Sequence, residues 1–241
     1  MVMDKKIGGI YYTDWHVLPA IMNGCLKNLK ETFPGDIVSV SLKRPLDLGK
    51  NIVVEGCRSY PTMALQIHTA LEASTADYVF FLEHDVLYHP SHFKFIPPKD
   101  DIYYYDDNSW RWAYGSDFAI TWDHLTPLSM MCANRITALK HYKHRLDLIE
   151  QWGLDKIRSR EPRWARRFGY EPGSKKIRRG GVSDEEQESW TAPYPSIDIR
   201  HSGTFTRAKI YLNEFKHPPV NFREIKSDQL PGWNVRQLFN L

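Results

Sequence analysis

The first half of the chain alternates short, uniformly apolar runs with longer stretches whose apolar positions recur every three or four residues. Lys6–Tyr12 (KIGGIYY) is a run of the first kind and predicts a strand. Over residues 16–30, Leu18, Ile21, Met22, Cys25, Leu26 and Leu29 fall on one side of an amphipathic helix. Asp14 is its expected N-cap, and Phe33-Pro34-Gly35 its stop. Ile37–Ser41 is rich in β-branched residues and predicts a second strand. Ser59-Tyr60-Pro61 opens a second helix with Met63, Ala64, Ile67, Ala70 and Leu71 on its apolar face. Asp77–Leu82 (DYVFFL) is apolar nearly throughout, the character of a strand covered on both faces.

Strand, helix, strand, helix, strand within about eighty residues requires crossovers and a largely parallel sheet. The expected class is therefore α/β. Ligands of such sheets gather at the carboxyl ends of the strands, here Thr13-Asp14, Glu55-Gly56 and Glu83-His84-Asp85. The second half is less regular. Ile102–Tyr105 and Phe118–Ile120 read as strands. Asn134–Trp152 reads as a helix with Ile136, Leu139, Tyr142, Leu146 and Ile149 on one face, His141, His144 and Arg145 toward solvent, and Gly153 at its end. Residues 155–195 show no period and are expected to form one long loop, followed by a short strand, Ser196–Ile199.

Composition narrows the function classes. Of 241 residues, 42% are hydrophobic and 25% charged, enough for a sizeable core and against wholesale disorder. No apolar run approaches the ~18 residues of a membrane span, and no apolar leader opens the chain. Cys25, Cys57 and Cys132 are too widely spaced for a disulfide framework or zinc knuckle, so a soluble, reduced, cytoplasmic protein is expected. The net charge of +3 conceals an asymmetry. Lys156–Arg179 holds ten basic residues against Glu161 and Glu171, which leaves the rest of the chain mildly acidic. Interleaved with Trp164, Phe168 and Tyr170, this segment suits a phosphate-tracking surface with stacking groups, or a solvated loop that closes on a diphosphate.

Candidate chemistry concentrates after the DYVFFL strand. On an extended backbone Glu83 and Asp85 share a face and can reach one divalent cation, or they can simply solvate a strand end. His84, Asp85, His89 and His92 offer a rival, zinc-type grouping. The late strand could bring Asp198, Arg200 or His201 to the same crevice. Trp110, Trp112 and Trp122 are either an acceptor wall or core, and Asp117 and Asp123 either contact an acceptor or cap turns. Gly8-Gly9 is not a GxGxxG fingerprint, and neither GxxxxGK[ST] nor GxSxG occurs. Dinucleotide oxidoreductases, P-loop NTPases and α/β-hydrolases lose their main support.

The strand–helix opening and the helix that ends before ADYVFFLEHD resemble the nucleotide-sugar half of GT-A glycosyltransferases, well over residues 6–95 and loosely over 196–206. The resemblance implies a GT-A-like, Rossmann-type, mostly parallel sheet flanked by helices in one domain. Residues 1–100 would be the nucleotide-sugar half, and 101–241 the acceptor half with the basic loop. It implies Mn2+ or Mg2+ held by Glu83, Asp85 and His201, with Glu83-His84-Asp85 in place of a DxD motif. It also implies a nucleotide-sugar donor, a UDP-sugar, contacted by Tyr12, Thr13, Asp14, Arg58, Gln66 and His84.

Two departures stand out: Glu replaces the motif's first Asp, and no Gly-Trp-Gly-Glu-Asp acceptor sequence is present. Glu171, in Gly169-Tyr170-Glu171-Pro172-Gly173, is its nearest echo and the first candidate base. Asp184, Glu185 and Glu186 compete, and Asp117 is a second catalytic candidate. With the basic segment, the resemblance extends to phage-type enzymes that act on a hydroxymethylated base in DNA, in the host cytoplasm where the protein is viral. A polysaccharide acceptor, a nucleotidyltransferase and a non-enzymatic nucleic-acid-binding module are the alternatives.

Overall fold

A computed structural model describes residues 5–152, 172–173, 186–204 and 209–241. Strand β1 (Ile7–Thr13) leads to helix α1 (Pro19–Thr32) and strand β2 (Asp36–Leu42). Strand β3 (Lys50–Val54), helix α2 (Tyr60–Ala73) and strand β4 (Tyr78–Glu83) follow. The helix starts differ in cause. Ser59 caps α2 through its side chain, which accepts from Thr62 N. Asp14 does not cap α1 as expected; Leu18 is the capping position, without a side-chain bond, and Pro19 opens the helix with its preset φ. The Asp14 carboxylate is engaged at the end of β1, where Oδ1 accepts from His16 N.

Strand β3 was not delineated from the sequence, because a parallel neighbour seven residues after β2 is unusually close. Asn51 makes the tight return feasible by bonding Leu46 N, Ser39 and Ser41. Gly49 sits at φ +54°, and a Cβ there would lie 2.1 Å from Ile37 O.

Beyond β4 come the short strand β5 (Val86–Leu87), then β6 (Ile102–Asp106), β7 (Ser109–Ala113), β8 (Phe118–Thr121) and β9 (Met131–Asn134). Among the described residues, helix α3 (Arg135–Trp152), β10 (Glu186–Trp190), β11 (Ser196–Arg200) and β12 (Arg223–Lys226) complete the strands and long helices. Seven strands form a central sheet in the order β10-β6-β9-β4-β1-β2-β3, parallel except at β9. A second sheet has the order β12-β8-β7-β11-β5. This is the α/β class expected, a mixed central sheet flanked by helices on both faces.

Alternation in the central strands sorts the core. Ile10, Val79 and Phe81 face α2 and α3, whereas Tyr11, Phe80 and Leu82 face the side of α1. Helix α1 serves both sheets. Met22 and Leu29 pack on the central sheet, and Ile21 and Cys25 on the second, with Trp112, Ile197 and Ile199.

Two expectations for the later half are corrected. Residues 186–190 are not loop but the edge strand β10, parallel to β6; the rest of 155–195, apart from Pro172, Gly173 and 191–195, lies outside the described residues, as does Gly153. In α3 the buried stripe is Ala138, His141, Tyr142, Arg145 and Ile149, while Ile136 is exposed. His141 and Arg145 are therefore not solvent residues; Arg145 Nε donates to His141 Nε2 at 2.6 Å, and the pairing makes burial tolerable. His144 is exposed as expected. No described helix is long and apolar enough to cross a membrane.

Candidate functional site

The chain leaves the central sheet at Glu83, turns through His84-Asp85, and enters the second sheet as β5, antiparallel to β11. The candidate motif thus lies on the seam between two sheets rather than along one extended strand. The i, i+2 alternation argument does not apply to it. Glu83 stays with the central sheet, where its Oε1 accepts a hydrogen bond from the Tyr12 hydroxyl of neighbouring β1. Asp85 swings toward the residues after β11, and its Oδ2 lies 3.3 Å from His201 Nε2. The β5–β11 pairing fixes this approach: Asp198 registers with Val86, and Ile199 N donates to Asp85 O at 2.8 Å.

The two carboxyls consequently differ. Burial, then the charge of Asp85, pushes the Glu83 carboxyl up to about 8 against the Tyr12 hydrogen bond. Burial also acts to raise Asp85. There the His201 hydrogen bond and the charges of His84, His201 and Arg200 outweigh it, and the carboxyl is lowered.

A cavity of about 100 Å3 opens above these residues. The ends of β1 and β4 supply Tyr12, Thr13, Asp14, Glu83, His84 and Asp85 to its wall. Arg58 and Gln66 come from the α2 region, so all eight residues expected at donor or cation, apart from His201, share one cleft. His201 joins them through Asp85. Ser59, Thr62, Met63, Gly203 and Thr204 also line the cleft and were not singled out from the sequence. The opening of α2 at Ser59, on the carboxyl side of the sheet, was the signal that could have found the first three.

Several of these side chains are fixed by protein partners. Thr13 Oγ1 accepts from Trp15 N and lies 2.8 Å from His84 Nδ1. The hydroxyl oxygen can accept from Nδ1–H, the tautomer that leaves a lone pair on His84 Nε2. Trp15 holds a φ of +65°, and Arg44 lies 4.1 Å above its ring. Gln66 is buried and spends its amide nitrogen on Thr13 O and Val40 O, bridging the ends of β1 and β2. Arg58 donates from Nε to Asp14 Oδ2 at 2.6 Å and from Nη2 to Gly203 O at 2.6 Å.

Among the described residues, the group able to take a metal ion is His84, Asp85 and His201, whose donor atoms lie within 4.8 Å of one another. Bonds of about 2.1 Å to one ion put donors roughly 3–4 Å apart, so a small inward shift of these side chains would let the set take a divalent cation. Two imidazoles beside one carboxylate suit a transition metal better than Mg2+. Glu83 is not in that group. Of the rival histidines, His89 Nδ1 lies 2.9 Å from Ser91 Oγ, and His92 is fully buried with Nδ1 2.7 Å from Asp106 Oδ2.

Asp117 is exposed and paired with Arg236, outside the cleft, while Asp123 meets Asn221 and Arg223. Trp112 is core and Trp110 nearly so; Trp122 is partly exposed, with the Arg111 guanidinium 4.6 Å above its ring. Asp198 joins Arg111 and Arg200, each at 3.3 Å. Glu171, Asp184, Glu185 and the basic residues of Lys156–Arg179 lie outside the described residues, and Glu186 is exposed on β10.

No family model and no curated protein matches the sequence. Solved structures do. The glycosyltransferase GlyE of Streptococcus pneumoniae TIGR4 is 11% identical, with a TM-score of 0.40 over 65% of this chain and 41% of GlyE. Rv0371c of Mycobacterium tuberculosis H37Rv, solved in complex with manganese, is 11% identical, with a TM-score of 0.44 over 82% of this chain and 94% of its own. Glucosyl-3-phosphoglycerate synthase from Mycobacterium tuberculosis, solved with Mn2+, uridine diphosphate and phosphoglyceric acid, is 12% identical, with a TM-score of 0.37 over 62% and 66%. The chain spans about two fifths of the length of GlyE. At these scores and identities the likeness assigns no activity to the chain.

Proposed function

We propose that the protein is a metal-dependent glycosyltransferase that moves a sugar from a nucleotide-sugar, a UDP-sugar, to a hydroxyl acceptor. The observation that carries this reading is the convergence of the His84–Asp85–His201 group with Tyr12, Thr13, Asp14, Arg58 and Gln66 on one cleft at the carboxyl ends of β1 and β4. His84, Asp85 and His201 would hold a divalent cation, Mn2+ by the nitrogen-rich set, which would supply charge neutralisation to a leaving diphosphate. The chain's own groups do the rest. Asp85, held ionised, keeps negative charge at the floor of the cleft. Arg58, on the wall of the cleft and ion-paired with Asp14, brings its guanidinium close to where phosphates would lie.

Glu171 is proposed as the base that accepts the acceptor hydroxyl's proton. The acceptor is proposed to be a hydroxymethylated base in DNA, on the strength of the basic, aromatic-interleaved Lys156–Arg179 segment. A polysaccharide hydroxyl is the alternative acceptor.

The test is a thermal-shift panel of nucleoside diphosphates, nucleoside triphosphates and nucleotide-sugars, each with and without Mn2+. A ligand at ~100 times its dissociation constant adds about 2.7 kcal/mol to folding, a shift of several degrees. The expected result is stabilisation by one nucleoside diphosphate and its sugar only with Mn2+, lost in Asp85→Asn. Turnover of a nucleoside triphosphate with release of pyrophosphate would instead mark a nucleotidyltransferase. No response to any nucleotide, alongside DNA binding intact in Asp85→Asn, would leave a nucleic-acid-binding module.

A further inference from the structure

We propose that Arg58 is a positioning residue for the cation site, acting through the turn after β11 and not on the ion. The proposal rests on the cation reading above and assigns Arg58 a structural task besides any contact with a donor. Its guanidinium is a fork with one tine in each of two segments: Nε on Asp14 Oδ2 at the end of β1, and Nη2 on Gly203 O in the turn. Asp14 is held in turn by His16 N at 2.8 Å. One side chain from the segment before α2 therefore staples the turn after β11 to the end of β1.

That turn begins with His201, one of the three candidate ligands, and has little freedom to sit elsewhere. A Cβ on Gly203 would lie 2.1 Å from His16 O and 2.9 Å from the His201 ring, so the backbone is already in close contact with both. Gly203 N donates to His201 Nδ1 at 3.0 Å, which leaves the proton of a neutral ring on Nε2, facing Asp85. Taking a cation through Nε2 requires that proton to leave. A ring protonated on Nδ1 then opposes the Gly203 N–H, and that bond is lost. The Arg58 bond is made to the next carbonyl along, and it survives the change. It is a polar contact that continues to hold His201's turn against the end of β1.

The sign of the effect separates this role from plain electrostatics. A guanidinium near a cation site repels the cation, so by Coulomb's law its removal should tighten binding. A staple predicts weaker binding. Arg58→Ala removes charge and fork together, whereas Arg58→Lys keeps the charge but replaces the planar fork with a single ammonium that cannot reproduce both bonds.

The experiment is a titration of Mn2+ alone, with no nucleotide, into wild type, Arg58→Ala and Arg58→Lys, followed by calorimetry. Metal-free thermal melts check that the variants are folded; the side chain is 34% exposed, which favours that outcome. Both variants are expected to bind Mn2+ about tenfold more weakly, the scale set by losing a group that orients a ligand. Wild-type affinity in Arg58→Lys, or tighter binding in Arg58→Ala, overturns the proposal while leaving the cation site intact. Absence of Mn2+ binding to wild type overturns the cation reading itself, and the proposal with it.

Discussion

Glu83 and Asp85 stand two positions apart and meet opposite environments. Glu83 is taken up by Tyr12 on the neighbouring strand, and Asp85 by His201 from the far end of the chain. The residue types in EHD were legible as metal chemistry, and it was the resemblance to GT-A glycosyltransferases that joined His201 to Asp85. The part assigned to Glu83 rested on strand alternation, which ends where the chain turns, and on its place in the DxD-like motif. If His84 completes the donor set, His84→Ala weakens Mn2+ binding by more than about tenfold. Glu83→Gln, which can still accept from Tyr12, changes it much less. Calorimetric titration of the two variants decides the matter, and the reverse ranking would restore Glu83 as the ligand.

Elements with a single strong signal were readable, and those set by pairing were not. Helix α2 is an instance of the first kind, with Ser59 and Pro61 at its start and Ala64, Ile67, Ala70 and Leu71 buried as expected, Met63 being half-buried at the cleft. Ser59→Ala should cost about 1 kcal/mol, a fall in Tm of about 2–4 °C. An unchanged melt would show that the Ser59–Thr62 bond contributes nothing. Strand β4 is as clear: Phe80 is fully buried, with Phe33, Phe93 and Trp190 edge-on around it. Phe80→Ala is expected to cost about 3–5 kcal/mol in denaturant unfolding, and a loss below 1 kcal/mol would mean the cavity collapses. Helix α3 shows the limit. Periodicity counts His141 and Arg145 as polar, whereas their mutual hydrogen bond carries both into the buried stripe. The edge strand β10, EQESW, has no apolar alternation to announce it; its ladder to β6 makes it a strand.

At the scale of the molecule, charge and topology act separately. The basic segment is a property of composition, and its consequence is measurable without knowing its conformation. If it neutralises several phosphates of a DNA acceptor, log K should fall with log salt at a slope of about −0.9 per phosphate. Fluorescence anisotropy on hydroxymethylated duplex, between low and moderate salt, reads that slope; a flat response would remove DNA as the acceptor. Topology, by contrast, decides where the cleft is. The chain passes from the central sheet to the second at His84-Asp85, and β11 returns beside β5 to set His201 against Asp85.

The sequence by itself determined the strand–helix alternation, the parallel core of the sheet and the kinds of residue at its carboxyl edge. Those follow from local apolar period and from residue chemistry, which neighbours along the chain are enough to express. Only the tertiary structure decided which carboxylate stands beside His84 and His201, and that Arg58 ties the turn after β11 to the end of β1. These depend on contacts spanning up to 145 positions along the chain. No periodicity records such contacts, because each partner's own neighbourhood is compatible with many others.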